Sequence, residues 1–542
     1  MASIVLGVTV GHDGSVAVVK DGRLVAAISR ERLTRRKKDH GVTKAEVDYV
    51  LDLAGARLED VACVAFATYT FAPDNFLKVY DMAGQEIRRN LWDHPPGRYV
   101  EEVKVKLGQH ATRGVWVQHH LSHCASAFYT SPFERSAVFS VDSSMIRPEV
   151  CSLYAYGDGS QMFPLYCPGV MIGNAYHQFT RKLGLGDGLF KAGTTMGLAS
   201  YGTPLPLAVE KWRDYGRSWY ERPEQPDDLR HIDLMWSELA QVAPHVEFSH
   251  EESDTRRAMD LAASLQYVFE ETIVAAAQEL HRRTAHYSDG KLCLAGGSFL
   301  NCNTNSAILA RTPFDDVHLF PGCGDDGNAV GSALFVAHHV MKQPRPRYEP
   351  QDVAYLGRSY PTPDVGRPLD LDEVAGAIAA GKVVGWFQGR AEFGPRALGN
   401  RSILADPRNP DMRDHINFKV KRREWFRPFA PMVRAEAAAD WFEFDRPSPF
   451  MLFTAKVRRP EALPAISHVD GSARLQTVTA TSNPRIYDLL GRFQALTGMP
   501  VLLNTSLNVN GEPLVETPED ALRFWDTTPA DLMVVGDRML VR

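Results

Sequence analysis

The sequence predicts an α/β protein of two domains. Three observations carry this. Strand-length apolar runs end in glycine- or aspartate-rich turns, amphipathic stretches at helical spacing lie between them, and one proline-rich segment divides the chain.

Ile4–Val10 is an apolar strand, followed by the turn Gly11–Ser15, a strand Val16–Lys20, an Asp21-Gly22 turn and a strand Leu24–Ile28. Asp-Gly between alternating runs is a hairpin signal. The pattern returns later: Ala137–Val141 is apolar, Asp142-Ser143-Ser144 follows, and a strand Val150–Tyr156 leads to a second turn, Asp158-Gly159. Two copies of strand, polar turn and hairpin suggest a duplicated unit. Met259–Leu280 carries apolar residues three and four apart and reads as a long amphipathic helix. Lys291–Ala295 is a short buried strand running into Gly296-Gly297.

Arg222–Arg230 reads as a surface loop, and Met341–Asp352, with three prolines, as the linker. The cut assigns residues 1–342 to the first domain and 352–542 to the second. The second opens with an Ala-rich helix, Leu371–Ala380, stopped by Gly381 and followed by a strand Val383–Phe387.

Composition excludes several classes. The 542 residues are 44% hydrophobic and 23% charged, which is ordinary for a globular chain. The net charge of −6 argues against a protein whose main task is holding nucleic acid. No apolar run approaches the ~20 residues of a membrane span. The first residues lack the n-region and cleavage site of a secretory signal, so a cytoplasmic location is expected. Seven cysteines, an odd number with no C-x-x-C pair, fit reduced thiols. The basic run Arg30–Lys38 reads as a solvated loop or helix face that attracts anionic substrates.

Gln118-His119-His120-Leu121-Ser122-His123 is the strongest local signal. On a helix His119 and His123 lie at i and i+4, on one face, near enough to share a metal. His120 stands where a zinc protease has its glutamate, so that chemistry is excluded. A third ligand must come from elsewhere, and Asp142 and Asp325 are the best candidates. Two histidines with carboxylate suit Fe(II), Mn(II) or Zn(II), with Fe(II) the usual partner.

Two glycine-rich turns follow apolar strands, at Gly296–Asn301 and Gly322–Gly331. Neither is a Walker loop, but amides freed by glycine at a helix start favour an anion, so Gly296, Gly297, Asn301 and Gly324 are candidate nucleotide-binding residues. In the second domain, arginines and lysines sit among apolar residues, glycines and prolines in Glu392–Ser402 and Lys419–Pro431. With Arg474–Thr477 and Asn504–Asn508 they suggest a second anionic-ligand pocket, since guanidinium forks match phosphate oxygens.

Taken together, these motifs resemble the O-carbamoyltransferases that tailor nodulation factors, cephamycins, aminoglycosides and ansamycins. The resemblance rests on Gly11-His12-Asp13, the His-His-x-x-His, Met196–Gly202, Gly296-Gly297, Phe393–Gly399, Phe426–Pro431 and Leu503–Ser506, and spans nearly the whole chain. It implies an N-terminal duplicated actin/sugar-kinase-like ATPase fold, as in the threonylcarbamoyl ligase, and a C-terminal YrdC-like α/β domain. It implies an ATP-dependent enzyme. Carbamoyl phosphate and ATP, with Mg²⁺, give carbamoyl adenylate in the C-terminal domain, and the N-terminal domain transfers the carbamoyl group to a hydroxyl of a specialised metabolite. His119, His123, Asp142 and Asp325 are then ligands of an iron-type divalent metal, and His12 the general base. Lys421, Arg423, Arg427, Arg474 and Asn508 handle phosphate and carbamoyl groups, with Arg396, Asn504 and Ser506 beside them. Partners are small molecules, with neither nucleic acid nor membrane, and the chain acts as monomer or homodimer. Three positions depart from the family pattern: Thr194 where a lysine is frequent, Ser298-Phe299 in the glycine turn, and Asn510 where an arginine is frequent. A kinase on the same ATPase fold and a non-catalytic nucleotide-binding protein are the alternatives.

Overall fold

A computed structural model describes residues 3–67, 76–87, 97–142, 151–221 and 252–542. The expected loop Arg222–Arg230 and the turn residues Ser143 and Ser144 lie outside them.

The chain divides into two compact units. The first holds residues 1–11, 19–23 and 58–347, the second 12–18, 24–57 and 348–542. This differs from a single cut at the linker, because early segments join the C-terminal half. Tyr49 Oη donates to Glu516 Oε1 (2.5 Å), Arg35 Nη2 donates to Pro513 O (2.8 Å) and Arg390 Nη2 to Val25 O (2.9 Å). Much of the basic run is therefore spent on structure. Arg32 is buried and donates to Gly394 O, and Arg30 pairs with Asp39 and Glu46. The expectation of a solvated face fails at these residues, since each guanidinium finds a carbonyl or carboxylate.

Two sheets share one topology. Strands β1 (Ile4–Thr9), β2 (Ser15–Lys20), β3 (Arg23–Ser29), β4 (Val61–Phe66), β5 (Leu77–Tyr80), β6 (Val100–Leu107) and β7 (His110–Val117) form a sheet ordered β3-β2-β1-β4-β7-β6-β5. Strands β8 (Arg135–Val141), β9 (Ser152–Asp158), β10 (Gln161–Tyr166), β11 (Lys291–Ala295) and β12 (Asp316–Leu319) form another, ordered β10-β9-β8-β11-β12. In each, the last two strands of a 3-2-1-4-5 order run parallel to strand 1, as in β1–β4–β7 and β8–β11–β12. The duplication expected from the repeated hairpin is thus present in the strand order. Strands such as Ile4–Thr9 are buried along their whole length, as parallel strands covered on both faces are. The long amphipathic helix extends over Glu252–Thr284.

In the second unit, strands β13 (Arg367–Pro368), β14 (Val384–Phe387), β15 (Arg401–Ala405), β16 (Ala430–Arg434), β17 (Phe442–Glu443), β18 (Phe453–Val457), β19 (Ser472–Val478), β20 (Val501–Ser506), β21 (Leu532–Val535) and β22 (Arg538–Val541) form one mixed sheet. Its order is β13-β22-β21-β14-β15-β20-β16-β19-β18-β17. Trp386, Ile403, Met432, Leu475, Leu502 and Val534 line its core. The Ala-rich helix runs Leu371–Ala379, capped by the Asp370 carboxylate. All seven cysteines are free thiols. No helix among the described residues is long and apolar enough to cross a membrane.

Candidate functional site

In the first unit, a helix over His119–Thr130 starts where Gln118 Oε1 accepts the Leu121 N–H at 2.8 Å. That cap sets the helix so that His119 and His123 share a face. Asp142 follows the end of β8, its N–H donating to Cys151 O. Asp325 opens a short 3₁₀ turn, Asp325–Gly327, after Gly324. The fold brings the four predicted ligands together.

The two Nε2 atoms are 3.1 Å apart. His123 Nε2 is 3.2 Å from both Asp142 Oδ2 and Asp325 Oδ1, and His119 Nε2 is 3.3 Å from Asp325 Oδ1 and 3.7 Å from Asp142 Oδ2. One donor atom from each residue lies within 4.8 Å of all the others. Burial opposes charging His119, yet Asp325 and Asp142 outweigh it and hold the imidazole up at about 10. His123 moves in the same direction, against its own burial and through the same carboxylates. Two imidazole lone pairs and two carboxylates converging on one point call for positive charge at that point. The nitrogen and oxygen donor set suits a divalent first-row ion.

The glycine turn lies against this cluster. Gly296 has φ +97°, and a Cβ there would meet Val141 O at 2.1 Å. At Gly297 a Cβ would meet Asp142 Oδ1 at 2.9 Å. Both glycines therefore allow close packing against the end of β8. Asn301 caps the helix Cys302–Arg311 and donates to Gln266 Oε1 at 2.8 Å.

Asn328, which nothing in the sequence marks, also belongs here. It is fully buried, and its Nδ2 lies 3.3 Å from His119 Nδ1 and 3.2 Å from His123 Nε2.

The second unit holds the cationic set. Lys421 is 2% exposed, and its Nζ donates to Ser506 O (2.6 Å), Ser506 Oγ (2.9 Å) and Asn508 Oδ1 (2.6 Å). Asn510, the departure from the family's arginine, donates its N–H to Lys421 O at 3.0 Å. Arg423 donates to Asn417 Oδ1 at 2.8 Å and lies over the Phe429 ring, while its Nη2 is buried without a partner among the described residues. Burial, then Arg423, Arg427 and Lys37, hold the Lys421 ammonium well below its usual range. Burial, then Arg427 and Arg474, act likewise on Arg423, and burial acts on Arg427, beside Glu424 and Arg396. Five of the predicted residues are thus electrostatic neighbours. Asn504 instead spans Ala397 O and Gln476 Oε1 with its amide nitrogen, and so braces strand to loop. His12, expected as the general base of the first domain, falls by its contacts in the second unit, where its Nδ1 is 3.1 Å from Asp13 Oδ2, which in turn accepts from Lys38 Nζ at 2.7 Å.

Comparison with known proteins gives the following. The family model for the carbamoyltransferase N-terminus matches residues 4–334, and that for the carbamoyltransferase C-terminus matches 375–542. The protein sll1178 of Synechocystis is 36% identical, over 98% of this chain and 95% of its own length. Nodulation protein NolNO of Sinorhizobium fredii is 34% identical, over 98% of this chain and 79% of its own. The 3'-hydroxymethylcephem-O-carbamoyltransferase of Streptomyces clavuligerus is 31% identical, over 97% of each. Among solved structures, full-length HypF is 12% identical over 62% of this chain and 46% of its own, with a TM-score of 0.32, too remote to carry an argument.

Proposed function

Because this chain belongs to the carbamoyltransferase family and is a transferase enzyme, we propose that it is an ATP-dependent O-carbamoyltransferase with two chemical sites. The observation that carries the reading is the buried cationic set around Lys421 and Arg423. Burying mutually repelling cations is costly unless an anion joins them, and the orphaned Arg423 Nη2 is a donor waiting for one.

In this reading the C-terminal unit, of YrdC-like type, takes carbamoyl phosphate and ATP with Mg²⁺. Arg396, Arg423, Arg427 and Arg474 grip phosphate oxygens, and Lys421 with Ser506 and Asn508 orients the carbamoyl end. Water cleaves carbamoyl phosphate to carbamate and inorganic phosphate, the carbamate oxygen attacks the α-phosphorus of ATP, and carbamoyl adenylate forms as pyrophosphate leaves. In the N-terminal unit, of ATPase-like type, His119, His123, Asp142 and Asp325 hold a divalent metal, Fe(II) foremost, with Mn(II) and Zn(II) as alternatives. A metal bound there would supply charge neutralisation at phosphate oxygens. Gly296, Gly297, Asn301 and Gly324 accommodate the nucleotide. An acceptor hydroxyl attacks the carbamoyl carbon, its proton goes to a general base, the role the family resemblance gives to His12, and AMP leaves unprotonated. The acceptor is a small hydroxylated metabolite. Of the relatives, the one from Streptomyces clavuligerus is named for a cephem acceptor, and the one from Sinorhizobium fredii is named a nodulation protein.

The test uses purified protein, ATP, Mg²⁺ and carbamoyl phosphate without acceptor. Pyrophosphate and carbamoyl adenylate, dependent on carbamoyl phosphate, are expected. His12→Ala should keep this half-reaction and lose transfer. ADP in place of pyrophosphate would move the assignment to a kinase.

A further inference from the structure

The metal cluster has a fifth member whose chemistry is mismatched as placed. Asn328 begins a helix over Asn328–Phe335 that is pressed against two neighbours. A Cβ on Gly331 would sit 1.8 Å from Ser122 O, on the histidine helix, and one on Gly7 would sit 1.8 Å from Ala329 O. These close approaches fix the helix between β1 and the histidine helix. Asn328, one turn before Gly331, is thereby presented to His119, one turn before Ser122.

His119 Nε2 points into the cluster, 3.1 Å from His123 Nε2 and 3.3 Å from Asp325 Oδ1. Once Nε2 gives its lone pair to a cation, the ring's proton must sit on Nδ1, which becomes a donor. Asn328 Nδ2, also a donor, lies 3.3 Å from that Nδ1, while Asn328 Oδ1 is buried without a hydrogen-bond partner among the described residues. Amide oxygen and nitrogen have nearly the same shape, and hydrogen-bond chemistry decides between them. Rotating the amide by half a turn sets an acceptor against the Nδ1–H. It also moves the amide's positive end away from His123 Nε2, now 3.2 Å distant, where a cation would sit.

We propose that Asn328 is a positioning residue of the metal centre: its side-chain carbonyl accepts the His119 Nδ1–H and holds His119 in the tautomer that offers Nε2 to a divalent cation. The proposal rests on reading the cluster as a metal site. Partners of this kind are typically worth roughly 10–100-fold in metal affinity.

The experiment titrates chelator-treated protein with Co²⁺, following the visible bands that report imidazole ligation, for wild type, Asn328→Ala and Asn328→Asp. Asn328→Ala should bind roughly 10–100-fold more weakly with altered bands. Asn328→Asp, which can only accept, should bind at least as tightly as wild type. Long-range ¹H–¹⁵N spectra of the Zn²⁺-loaded wild type should show a protonated Nδ1 on His119; this readout stands even where a variant fails to fold. Unchanged affinity in Asn328→Ala, an Asn328→Asp as weak as Asn328→Ala, or a bare Nδ1 overturns the proposal. Wild type that binds no Co²⁺ overturns the metal reading itself.

Discussion

Gly297→Ala should weaken metal binding while leaving the fold in place. The added methyl would lie 2.9 Å from Asp142 Oδ1, about 0.5 Å inside ordinary van der Waals contact. Gly297 lies outside the left-handed region, so alanine meets no backbone strain there. The atom in the way is the end of a side chain, and the Asp142 carboxylate must tilt. Metal–ligand distances tolerate only about 0.2 Å, and Asp142 Oδ2 is the oxygen that faces His123 at 3.2 Å. A displaced ligand should therefore cost roughly 10–100-fold in affinity, about 1.4–2.8 kcal/mol. The assay pairs a Co²⁺ titration with thermal unfolding of the metal-free protein. Metal-free melting should match wild type. Gly296→Ala is the contrast: with φ +97° and Val141 O at 2.1 Å from the new Cβ, it should lower melting as well. Wild-type affinity in Gly297→Ala would refute the reasoning, because it would mean that the Asp142 carboxylate is not held at the metal by this packing.

Other consequences follow in the second unit. Lys421 is held below its usual range chiefly by burial, and a bound phosphate should draw its pKa back up. Phosphate binding should therefore take up protons and weaken as pH rises through the depressed pKa, which calorimetry in buffers of different ionisation enthalpy would detect. Arg423→Leu should cut carbamoyl-phosphate-dependent pyrophosphate release by about 10-fold or more, from the loss of charged hydrogen bonds. Its melting temperature should hold or rise, because a buried cation facing Arg427 and Arg474 is gone. Tyr49→Phe should cost roughly 1–3 kcal/mol in denaturant unfolding, since the hydroxyl donates to Glu516 Oε1 and accepts the Arg358 N–H, each at 2.5 Å.

Much of the site was legible because local chemistry marks it. The i, i+4 histidines need only a helix to share a face, and Asp142 and Asp325 stand where strand or glycine turn ends, so chain order alone nominates them. The cations around Lys421 stood out because charge amid glycine and apolar residues has to be used. Other residues misled. Arg30, Arg32 and Arg35 looked like a solvated run, but their partners come from residues as distant in sequence as Gly394 and Pro513. For Gly296 and Gly297, nominated as a nucleotide turn, the structure adds that their missing side chains also make room for the end of β8 and the Asp142 carboxylate.

By itself the sequence pointed to the α/β class, the repeated strand–turn–hairpin unit and His119, His123, Asp142 and Asp325 as candidate ligands, because hydrophobic period, turn chemistry and helical spacing are properties of short stretches. Tertiary structure alone decided that residues 24–57 pack with the C-terminal half, that Asn504 braces a strand, and that Asn328 faces His119. Each of these depends on contacts between segments far apart in the chain, made where a glycine without a Cβ or a long guanidinium happens to fit, and no local pattern encodes them.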